Sequence, residues 1–305
     1  MKMKSRLFTT LAASAFAVGS AQAAILVSSG SWNRLYSDTG TMLVSYTEAG
    51  ANYQGNTVDL AGNVYFADFG FGIRKYNGTT GAFIGNTTDN SFYGTAHPLF
   101  GITAKTGTNL MASYNLGANA HFVGLNTSAT NAQVSISPNY GPSYEGLNYS
   151  QEVGVLYATT SNGGGLLQYF DATGNVIAGV AVGTAPKGVV RDDFNDMHYI
   201  ADFGGSVWRW DGVNAPSVFI SPYNALTNPT GLTNAYGVTA EGDGDIWVSD
   251  WGTGDLKRYN SSGTLQSSFN VGAGITYITY TTIPEPRAAL LGGMGLLALL
   301  RRRRA

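Results

Sequence analysis

Side chains that could support catalysis or bind a metal ion are few in this chain, and they are widely separated. It has three histidines, His97, His121 and His198, and no cysteine among its 305 residues. No HExxH motif and no paired-histidine spacing occurs, so the histidines do not match a known zinc motif. The absence of cysteine excludes a thiolate zinc site, a cysteine nucleophile and a disulfide framework. The sequence therefore favours a protein without enzymatic activity, with an enzyme as the alternative.

Carboxylates cluster in two short segments, AEGDGDIW and RDDFNDM. The clustered residues are Glu241, Asp243 and Asp245 in the first segment and Asp192, Asp193 and Asp196 in the second. Calcium favours oxygen-rich loops of this kind. Both segments also have the composition of tight polar turns, and neither has the full EF-hand spacing. We therefore expect two turns and no cofactor, with Ca²⁺ as the alternative.

A triplet of Asp, an aromatic residue and Gly occurs three times, at 68–70, 202–204 and 250–252. Two copies spell the DFG metal motif of protein kinases, but no glycine-rich phosphate loop or HRD-type loop accompanies them. The recurrence itself indicates a structural role. We expect the end of a strand, where the Asp accepts hydrogen bonds from turn amides and the Gly permits a positive φ.

These triplets belong to a longer repeat that predicts the fold. Each copy contains an apolar run, the triplet or its equivalent, a short second strand and a turn with Gly. The first runs end at Ser29, Asp68, Ser113, Thr159, Asp202 and Asp250, which are 39 to 48 residues apart. That period suits a unit of about four short strands, as in a propeller blade.

A further apolar strand precedes five of the six copies, and its placement predicts how the fold closes. These strands are 57–60, 100–104, 145–149, 187–191 and 236–240. The N-terminal copy lacks one, but residues 274–282 near the C-terminus have the same Gly-apolar-Thr pattern. Pairing of that segment with the strands of 25–46 would leave no free sheet edge. We predict an all-β, six-bladed β-propeller over residues 24–283, with a β-sandwich or two β domains as the alternative.

The order of glycine, apolar residues, Asp and a basic-aromatic pair resembles NHL-type repeats, most clearly from Gly237 to Tyr259. It also resembles the six-bladed propellers that include gluconolactonases and the TolB-like group. The gluconolactonase resemblance implies a metal-binding Glu-Gly near the axis, at Glu145-Gly146, with Asn and Asp ligands from other inner strands. The matching strand starts, read as His97-Pro98, Pro186-Lys187 and Ala235-Tyr236, do not supply them. The candidate ligand contacts on the propeller face are Glu145, His97, His121 and Trp251.

The charge distribution argues against a nucleic-acid partner. Residues 24–283 contain nine Lys and Arg against 18 Asp and Glu, while the basic residues elsewhere lie at the two ends of the chain. An acidic body repels phosphate backbones. Strand alternation accounts for the basic-aromatic pairs Lys75-Tyr76, Arg209-Trp210 and Arg258-Tyr259.

The first 23 residues have the pattern of a secretory signal peptide. A basic start, MKMKSR, is followed by a mostly apolar stretch of 13 residues and then by Ala21 and Ala23 in small-x-small spacing. We predict cleavage between Ala23 and Ala24 by signal peptidase. The alternative, an N-terminal membrane helix, requires ~20 apolar residues, and this run is shorter.

Residues 284–305 contain a short motif, an apolar run and a basic end. The motif is Pro284-Glu285-Pro286, the run is 288–300, and the end is Arg301, Arg302, Arg303 and Arg304. As a helix the 13-residue run spans ~20 Å, less than the ~30 Å of the hydrocarbon core. The combination closely resembles the PEP-CTERM sorting signal of Gram-negative bacteria. That resemblance implies a short transmembrane helix, transient inner-membrane association, recognition by an exosortase and removal of the tail, with a permanent anchor as the alternative.

Two functional hypotheses follow. The first is an exported β-propeller that acts as a binding or structural component of the cell surface or extracellular matrix, with exopolysaccharide or surface proteins as partners. The second is a metal-dependent enzyme of the lactonase-like or lyase-like propeller class, which would need a divalent metal at Glu145.

Overall fold

The computed structural model describes residues 21–46, 52–69, 72–86, 99–106, 109–116, 119–126, 133–135, 144–160, 165–171 and 175–284. Residues 23–283 form one compact unit. Most of the predicted signal peptide, His97, and the chain from Glu285 onward lie outside the described residues. Within the described ranges, no helix has the length and hydropathy needed to cross a membrane.

The described residues form 24 strands. They are β1 (Ala21–Ser29), β2 (Trp32–Ser37), β3 (Met42–Tyr46), β4 (Tyr53–Val58), β5 (Asn63–Asp68), β6 (Gly72–Asn77), β7 (Phe83–Asn86), β8 (Leu99–Thr106), β9 (Asn109–Leu116), β10 (Asn119–Asn126), β11 (Gln133–Ser135), β12 (Tyr144–Ser150), β13 (Val155–Thr160), β14 (Leu166–Phe170), β15 (Val176–Ala181), β16 (Pro186–Asp192), β17 (Met197–Asp202), β18 (Ser206–Trp210), β19 (Ser217–Ile220), β20 (Ala235–Ala240), β21 (Ile246–Asp250), β22 (Asp255–Tyr259), β23 (Leu265–Asn270) and β24 (Ile275–Pro284).

These strands form six four-stranded sheets across the described part of the chain. Five sheets use consecutive strands, β4–β7, β8–β11, β12–β15, β16–β19 and β20–β23. The remaining sheet has the order β24-β1-β2-β3, so the strand predicted near the C-terminus pairs with the N-terminal strands. The two ends of the domain are thereby joined in one sheet, which leaves neither as a free edge.

Neighbouring sheets meet through their innermost strands, and glycines allow the close approach. The inner strands β4, β8, β12, β16 and β20 contact one another in that order. A Cβ on Gly188 would lie 2.7 Å from the Tyr236 carbonyl oxygen, and one on Gly237 would lie 2.6 Å from that of Thr276. No side chain fits at such distances, so the glycine of the Gly-apolar-Thr pattern is required by packing.

The third residue of the same pattern connects most of the inner strands to the next one. In four of the described sheets its side-chain oxygen accepts a backbone N–H from the following inner strand. These bonds are Ala104 N–H to Thr57 Oγ1 (3.1 Å), Tyr149 N–H to Thr103 Oγ1 (3.2 Å), Arg191 N–H to Asn148 Oδ1 (3.1 Å) and Tyr280 N–H to Thr239 Oγ1 (2.9 Å). They satisfy strand-edge donors that no sheet partner reaches.

Asn56 connects the last inner strand, β24, to β4. Its Nδ2 donates to the Oγ of Ser28 (2.7 Å) and to the carbonyl oxygen of Tyr277 (2.9 Å). Its Oδ1 accepts the hydroxyl of Thr279 at 2.7 Å. Together with the bond from Tyr280 to Thr239, these contacts place β24 between β20 and β4 and close the ring.

The core lies between successive sheets. Trp247 of β21 is fully buried and packs with Ile25 and Val27 of β1. Between the β1–β3 and β4–β7 strands, Tyr46 and Phe66 pack with ring centroids 5.4 Å apart. Large side chains fill this space because sheets packed face to face lie ~10 Å apart.

Two details of the predicted register are wrong. The inner strand expected at 57–60 is β4, Tyr53–Val58, and its axial glycine is Gly55. Asp59 instead begins a turn, where it accepts the backbone N–H groups of Ala61 and Asn63. The side chain of Asp59 competes with strand pairing in this way, as Asp does in turns generally.

The strand ends assigned to Ser113 and Thr159 are each one residue early. Asp202 and Asp250 lie opposite the first residues of their inner strands, and the matching residues are Tyr114 and Thr160. The hydroxyls of Ser113 and Thr159 instead bridge neighbouring inner strands. Ser249 forms the same bridge one position before Asp250, so the polar residue at this position does not mark the strand end.

Candidate functional site

The upper face is the end of the ring at which the inner strands begin, and one side chain from each inner strand lines its mouth. Each of these residues precedes the axial glycine or its equivalent in β24. They are Gln54, Phe100, Glu145, Lys187, Tyr236 and Thr276. Glu145 therefore corresponds to Lys187 and Tyr236, and the predicted match of Glu145 with Pro186 and Ala235 is wrong by one residue.

The Asp-aromatic-Gly turns bring aromatic side chains to the upper face. Asp202 accepts the backbone N–H groups of Thr184 and Ala185. Asp250 accepts those of Thr233 and Asn234. The expected strand ends at Asp202 and Asp250 are confirmed, but the amides that they accept belong to the loop before the inner strand of the same sheet. The positive φ expected at Gly204 and Gly252 is wrong, because Gly205 and Gly254 adopt it instead.

In the first copy of this turn, Asp68 forms a buried ion pair with Arg74 at 2.9 Å. The aromatic residues that follow the three Asp residues are Phe69, Phe203 and Trp251. Phe69 and Trp251 are 40% and 41% exposed, so the repeat presents aromatic surface around the mouth.

A pocket of about 760 Å³ opens on the upper face over the β16, β20, β24 and β4 sector. Its lining residues are Ser29, Gly30, Ser31, Asn52, Gln54, Ala185, Lys187, Phe203, Tyr236, Trp251, Gly274 and Thr276. This volume suits a small ligand or one end of a larger one.

One wall of the pocket is aromatic. Tyr236 contacts Phe203 edge to face at a centroid distance of 6.1 Å, and Phe203 contacts Trp251 at 5.7 Å. On the axis side, Tyr236 contacts Tyr277 at 5.4 Å. These packed rings form a rigid apolar surface that reaches from the buried axis to solvent.

The adjoining wall is polar and uncharged. Ser29 and Ser31 contribute hydroxyls, and Asn52 and Gln54 contribute amides. Gln54 Nε2 donates to Asn52 Oδ1 at 3.0 Å, which orients both amides. The pocket therefore has an apolar side and a hydrogen-bonding side.

The floor of the pocket carries an ion pair. Lys187 Nζ donates to Glu145 Oε1 at 2.8 Å and lies 5.6 Å from the centroid of the Tyr236 ring. Lys187 lines the pocket, whereas Glu145 lies behind it and is 9% exposed. The two charges neutralise each other at the mouth of the axis.

Tyr277 closes the axis beneath the pocket. It occupies the position that is glycine in the other five inner strands, and its hydroxyl donates to the Glu145 carbonyl oxygen at 2.6 Å. Since β12 is three inner strands away from β24 in the ring, the side chain spans the axis. Burial raises the pKa of Tyr277 well above its usual range. A separate cavity of about 90 Å³ lies along the inner strands and is also lined by Tyr277.

The clustered carboxylates lie in turns on the opposite, lower face. Ligand atoms of Glu241, Asp243 and Asp245 lie within 4.8 Å of one another. Arg258 pairs with Glu241 and lies 3.1 Å from Asp245. Trp247 Nε1 also donates to Glu241. This cluster already contains its own cation, and the expected turn accounts for it.

The predicted candidate residues are only partly brought together. Trp251 lines the pocket and Glu145 supports its floor. His121 belongs to β10, opposite Tyr114, and His97 lies outside the described residues. His198 is buried in β17, where its Nδ1 lies 3.2 Å from the Trp210 carbonyl oxygen, and burial lowers its pKa to about 4.

Several pocket residues were not found by sequence reasoning. They include Lys187, Phe203, Tyr236, Tyr277, Asn52 and Gln54. The pocket residues could have been found from the residue that precedes each glycine of the repeat, because the side chain at that position faces the mouth of the ring. Correct alignment of the glycines would have selected Gln54, Lys187 and Tyr236.

The mouth residues do not fit the metal that the gluconolactonase resemblance implies. Glu145 is the one carboxylate among the six mouth residues, and the Lys187 ammonium group lies 2.8 Å from it. The corresponding positions provide an amide, a phenyl ring, a phenol and a hydroxyl. A divalent cation needs several oxygen ligands and no adjacent ammonium group.

The comparison with known proteins supports the fold. No protein-family model and no curated protein matches the chain. A chain from the crystal structure of a nidogen/laminin complex has a TM-score of 0.69 at 14% identity and covers 86% of this chain and 99% of its own length. A protein of unknown function from Bacteroides caccae has a TM-score of 0.66 at 12% identity, with the same coverages. The β-propeller domain of Myceliophteria thermophila Cps50 (Swd1) has a TM-score of 0.58 at 10% identity and covers 86% of this chain and 89% of its own. The fold is a β-propeller.

Proposed function

We propose that this protein is an exported six-bladed β-propeller with NHL-like blades that binds carbohydrate through the upper-face pocket, as a component of the cell surface or extracellular matrix. The observation that carries the proposal is the pairing of an aromatic wall with a polar, uncharged wall in one open pocket.

A sugar ring matches these two walls. Its C–H face is apolar and can pack on Phe203 and Trp251, while its hydroxyls both donate and accept hydrogen bonds. Asn52 and Gln54 can do the same, because each amide has two donors and an acceptor. Pockets of this size are typically apolar, with a few placed polar groups that fix orientation.

A glycan array probed with the purified protein tests the proposal. We expect binding to a subset of polysaccharides, with at least a tenfold loss in Trp251→Ala, since truncation of a central aromatic contact costs ~2 kcal/mol or more. Phe194→Ala is the matched control, because Phe194 is 69% exposed in a lower-face turn far from the pocket. The absence of binding to matrix polysaccharides of every class would reject carbohydrate as the ligand.

Export and sorting by the terminal signals complete the proposed function. The described pairs of β1 with β2 begin at Ala24 and Ser37, so cleavage before Ala24 would leave all of them intact. Removal of residues 285–305 would likewise leave β24 and the compact unit of residues 23–283 intact.

Mass spectrometry of the secreted protein tests the sorting proposal. We expect an N-terminus at Ala24 and loss of the four terminal arginines through exosortase action. An intact C-terminus in the extracellular fraction would contradict removal of the tail and favour a permanent anchor.

The alternative function, a metal-dependent lactonase-like or lyase-like enzyme, makes a different prediction. It requires stoichiometric divalent metal in the purified protein and loss of lactone hydrolysis in Glu145→Gln. Metal analysis decides between the two functions before any ligand is known.

A further inference from the structure

We infer that Glu145 sets the charge preference of the pocket: by neutralising Lys187 it makes the pocket selective for uncharged sugars over uronic acids. The identity of the natural ligand rests on the proposed function. The effect of Glu145 on anion binding does not, and it can be measured separately.

Lys187 controls the charge of the pocket. It is the one charged side chain among the described residues that line the pocket. Its side chain is 17% exposed, so a ligand can reach the ammonium group. A cation in a partly desolvated pocket is a strong site for a carboxylate, because charge-assisted hydrogen bonds are about twice as strong as neutral ones.

Glu145 already pairs with the ammonium group of Lys187, from the side that faces away from the pocket. Its carboxylate contacts Lys187 Nζ at 2.8 Å and is not part of the pocket surface. An incoming carboxylate would therefore compete with Glu145 for the ammonium group and be repelled by its charge. A neutral sugar neither competes with Glu145 for the ammonium group nor is repelled by the Glu145 charge.

The position of Glu145 is fixed by its backbone. Its carbonyl oxygen accepts the Tyr277 hydroxyl, and the next N–H, of Gly146, donates to Thr159 Oγ1. Neither bond involves the Glu145 carboxylate. Glu145→Gln therefore removes the charge while it keeps the side-chain size and these backbone contacts.

Removal of the charge should convert the pocket into an anion site. Lys187 would remain held by its strand and by the Tyr236 ring, as a partly buried cation without its carboxylate. Such a cation is costly to leave unpaired, so a ligand carboxylate becomes the favoured partner.

The test compares glucose and glucuronate binding by calorimetry or NMR titration in the wild-type full-length protein and in Glu145→Gln. We expect glucuronate affinity to rise at least tenfold in the variant, with the gain reduced at high salt, and glucose affinity to change less than threefold. The double variant Glu145→Gln/Lys187→Met should lose the gain. Glu152→Gln is the matched control, because Glu152 pairs with Arg191 on the lower face.

Equal glucuronate affinity in wild type and Glu145→Gln would overturn the inference. If Glu145→Gln does not fold, Glu145→Asp replaces it, since the shorter side chain withdraws the carboxylate from Lys187 and should give a smaller gain. A glycan array that is silent while Glu145→Gln gains glucuronate binding would reject the proposed function and support the inference. Binding on the glycan array without a gain of glucuronate affinity in Glu145→Gln would support the proposed function and reject the inference.

Discussion

Asn56 is a buried amide at the point where the ring closes, and its replacement gives the sharpest test of the fold. Asn56 is 5% exposed and makes hydrogen bonds to Ser28, Tyr277 and Thr279. Asn56→Leu keeps a similar volume and removes all three bonds. The groups left behind are buried, and water cannot readily replace the lost partner.

The expected cost follows from the number of groups left without that partner. A buried polar group that loses its hydrogen bond costs about 1–3 kcal/mol. Thr279 keeps a second bond, to the Asn56 carbonyl oxygen, and the Ser28 hydroxyl can rotate. We therefore expect a loss of about 2–4 kcal/mol in the free energy of unfolding. For a domain of this size that corresponds to a fall in Tm of about 4–7 °C.

Asn33 provides the matched control. It is also fully buried, but its side-chain amide atoms have no hydrogen-bond partner among the described residues. Asn33→Leu removes an unsatisfied polar group, so it should be neutral or stabilising. Urea unfolding followed by tyrosine and tryptophan fluorescence measures both variants. If Asn56→Leu is no more destabilising than Asn33→Leu, the assignment of Asn56 to ring closure is wrong.

Three further predictions follow from the buried polar groups. Tyr277→Phe leaves the Glu145 carbonyl oxygen without its bond from the hydroxyl and should cost about 1–2 kcal/mol in urea unfolding; a value near zero would mean that the bond across the axis contributes nothing. Burial lowers the pKa of His198 to about 4, below the ~6.5 of the unfolded chain, so the unfolded state binds the proton first. Stability should therefore fall by about 3 kcal/mol as the pH drops from 6.5 to 4, and His198→Phe should flatten that part of the profile; an unchanged profile would assign the acid sensitivity to other groups. Calcium should not alter the Tm of the wild type, because Arg258 already pairs with Glu241 and Asp245, whereas Arg258→Ala should be destabilised and partly restored by calcium in a thermal-shift assay; a wild-type shift that chelator reverses would show that the carboxylates bind the ion beside Arg258.

Sequence reasoning could predict the repeat because packing constrains it locally. A glycine is needed wherever one inner strand meets the next, as at Gly188 and Gly237, and Thr or Asn two residues later accepts the neighbour's amide, as Thr103 does. The glycine recurs in five of the described sheets and the acceptor in four, so they leave a periodic pattern. The same reasoning predicted that residues 274–282 join the N-terminal strands.

The register within each repeat could not be predicted as well. The sequence prediction equates Ser113 and Thr159 with the Asp residues, but both correspond to Ser249, which lies one position before Asp250 and whose hydroxyl also bridges inner strands. A polar residue at this position therefore does not mark the strand end. The match of Glu145 with Pro186 instead of Lys187 is also off by one residue, and a shift of one residue exchanges the two faces of a strand.

The pocket itself depends on contacts that no local pattern reveals. Glu145 meets Lys187 from a neighbouring sheet, and Tyr277 reaches the Glu145 carbonyl oxygen across the axis and 132 residues along the chain. Tyr277 departs from the glycine pattern of the other five inner strands, and its buried side chain crosses the axis. A residue that departs from a repeat can be seen in the sequence, but the sequence does not show where its side chain points.

Strand β24 contributes both to the closure of the ring and to the support of the pocket floor. Asn56 holds the backbone of Tyr277, while the Tyr277 side chain holds the backbone of Glu145, and Glu145 neutralises Lys187 in the pocket. A loosened closure would therefore release the floor and disturb the charge balance that we assign to Glu145. Asn56→Leu should then weaken sugar binding at temperatures where the protein is still folded, although Asn56 does not line the pocket. Asn33→Leu, in β2 of the sheet that contains β24, should leave binding unchanged.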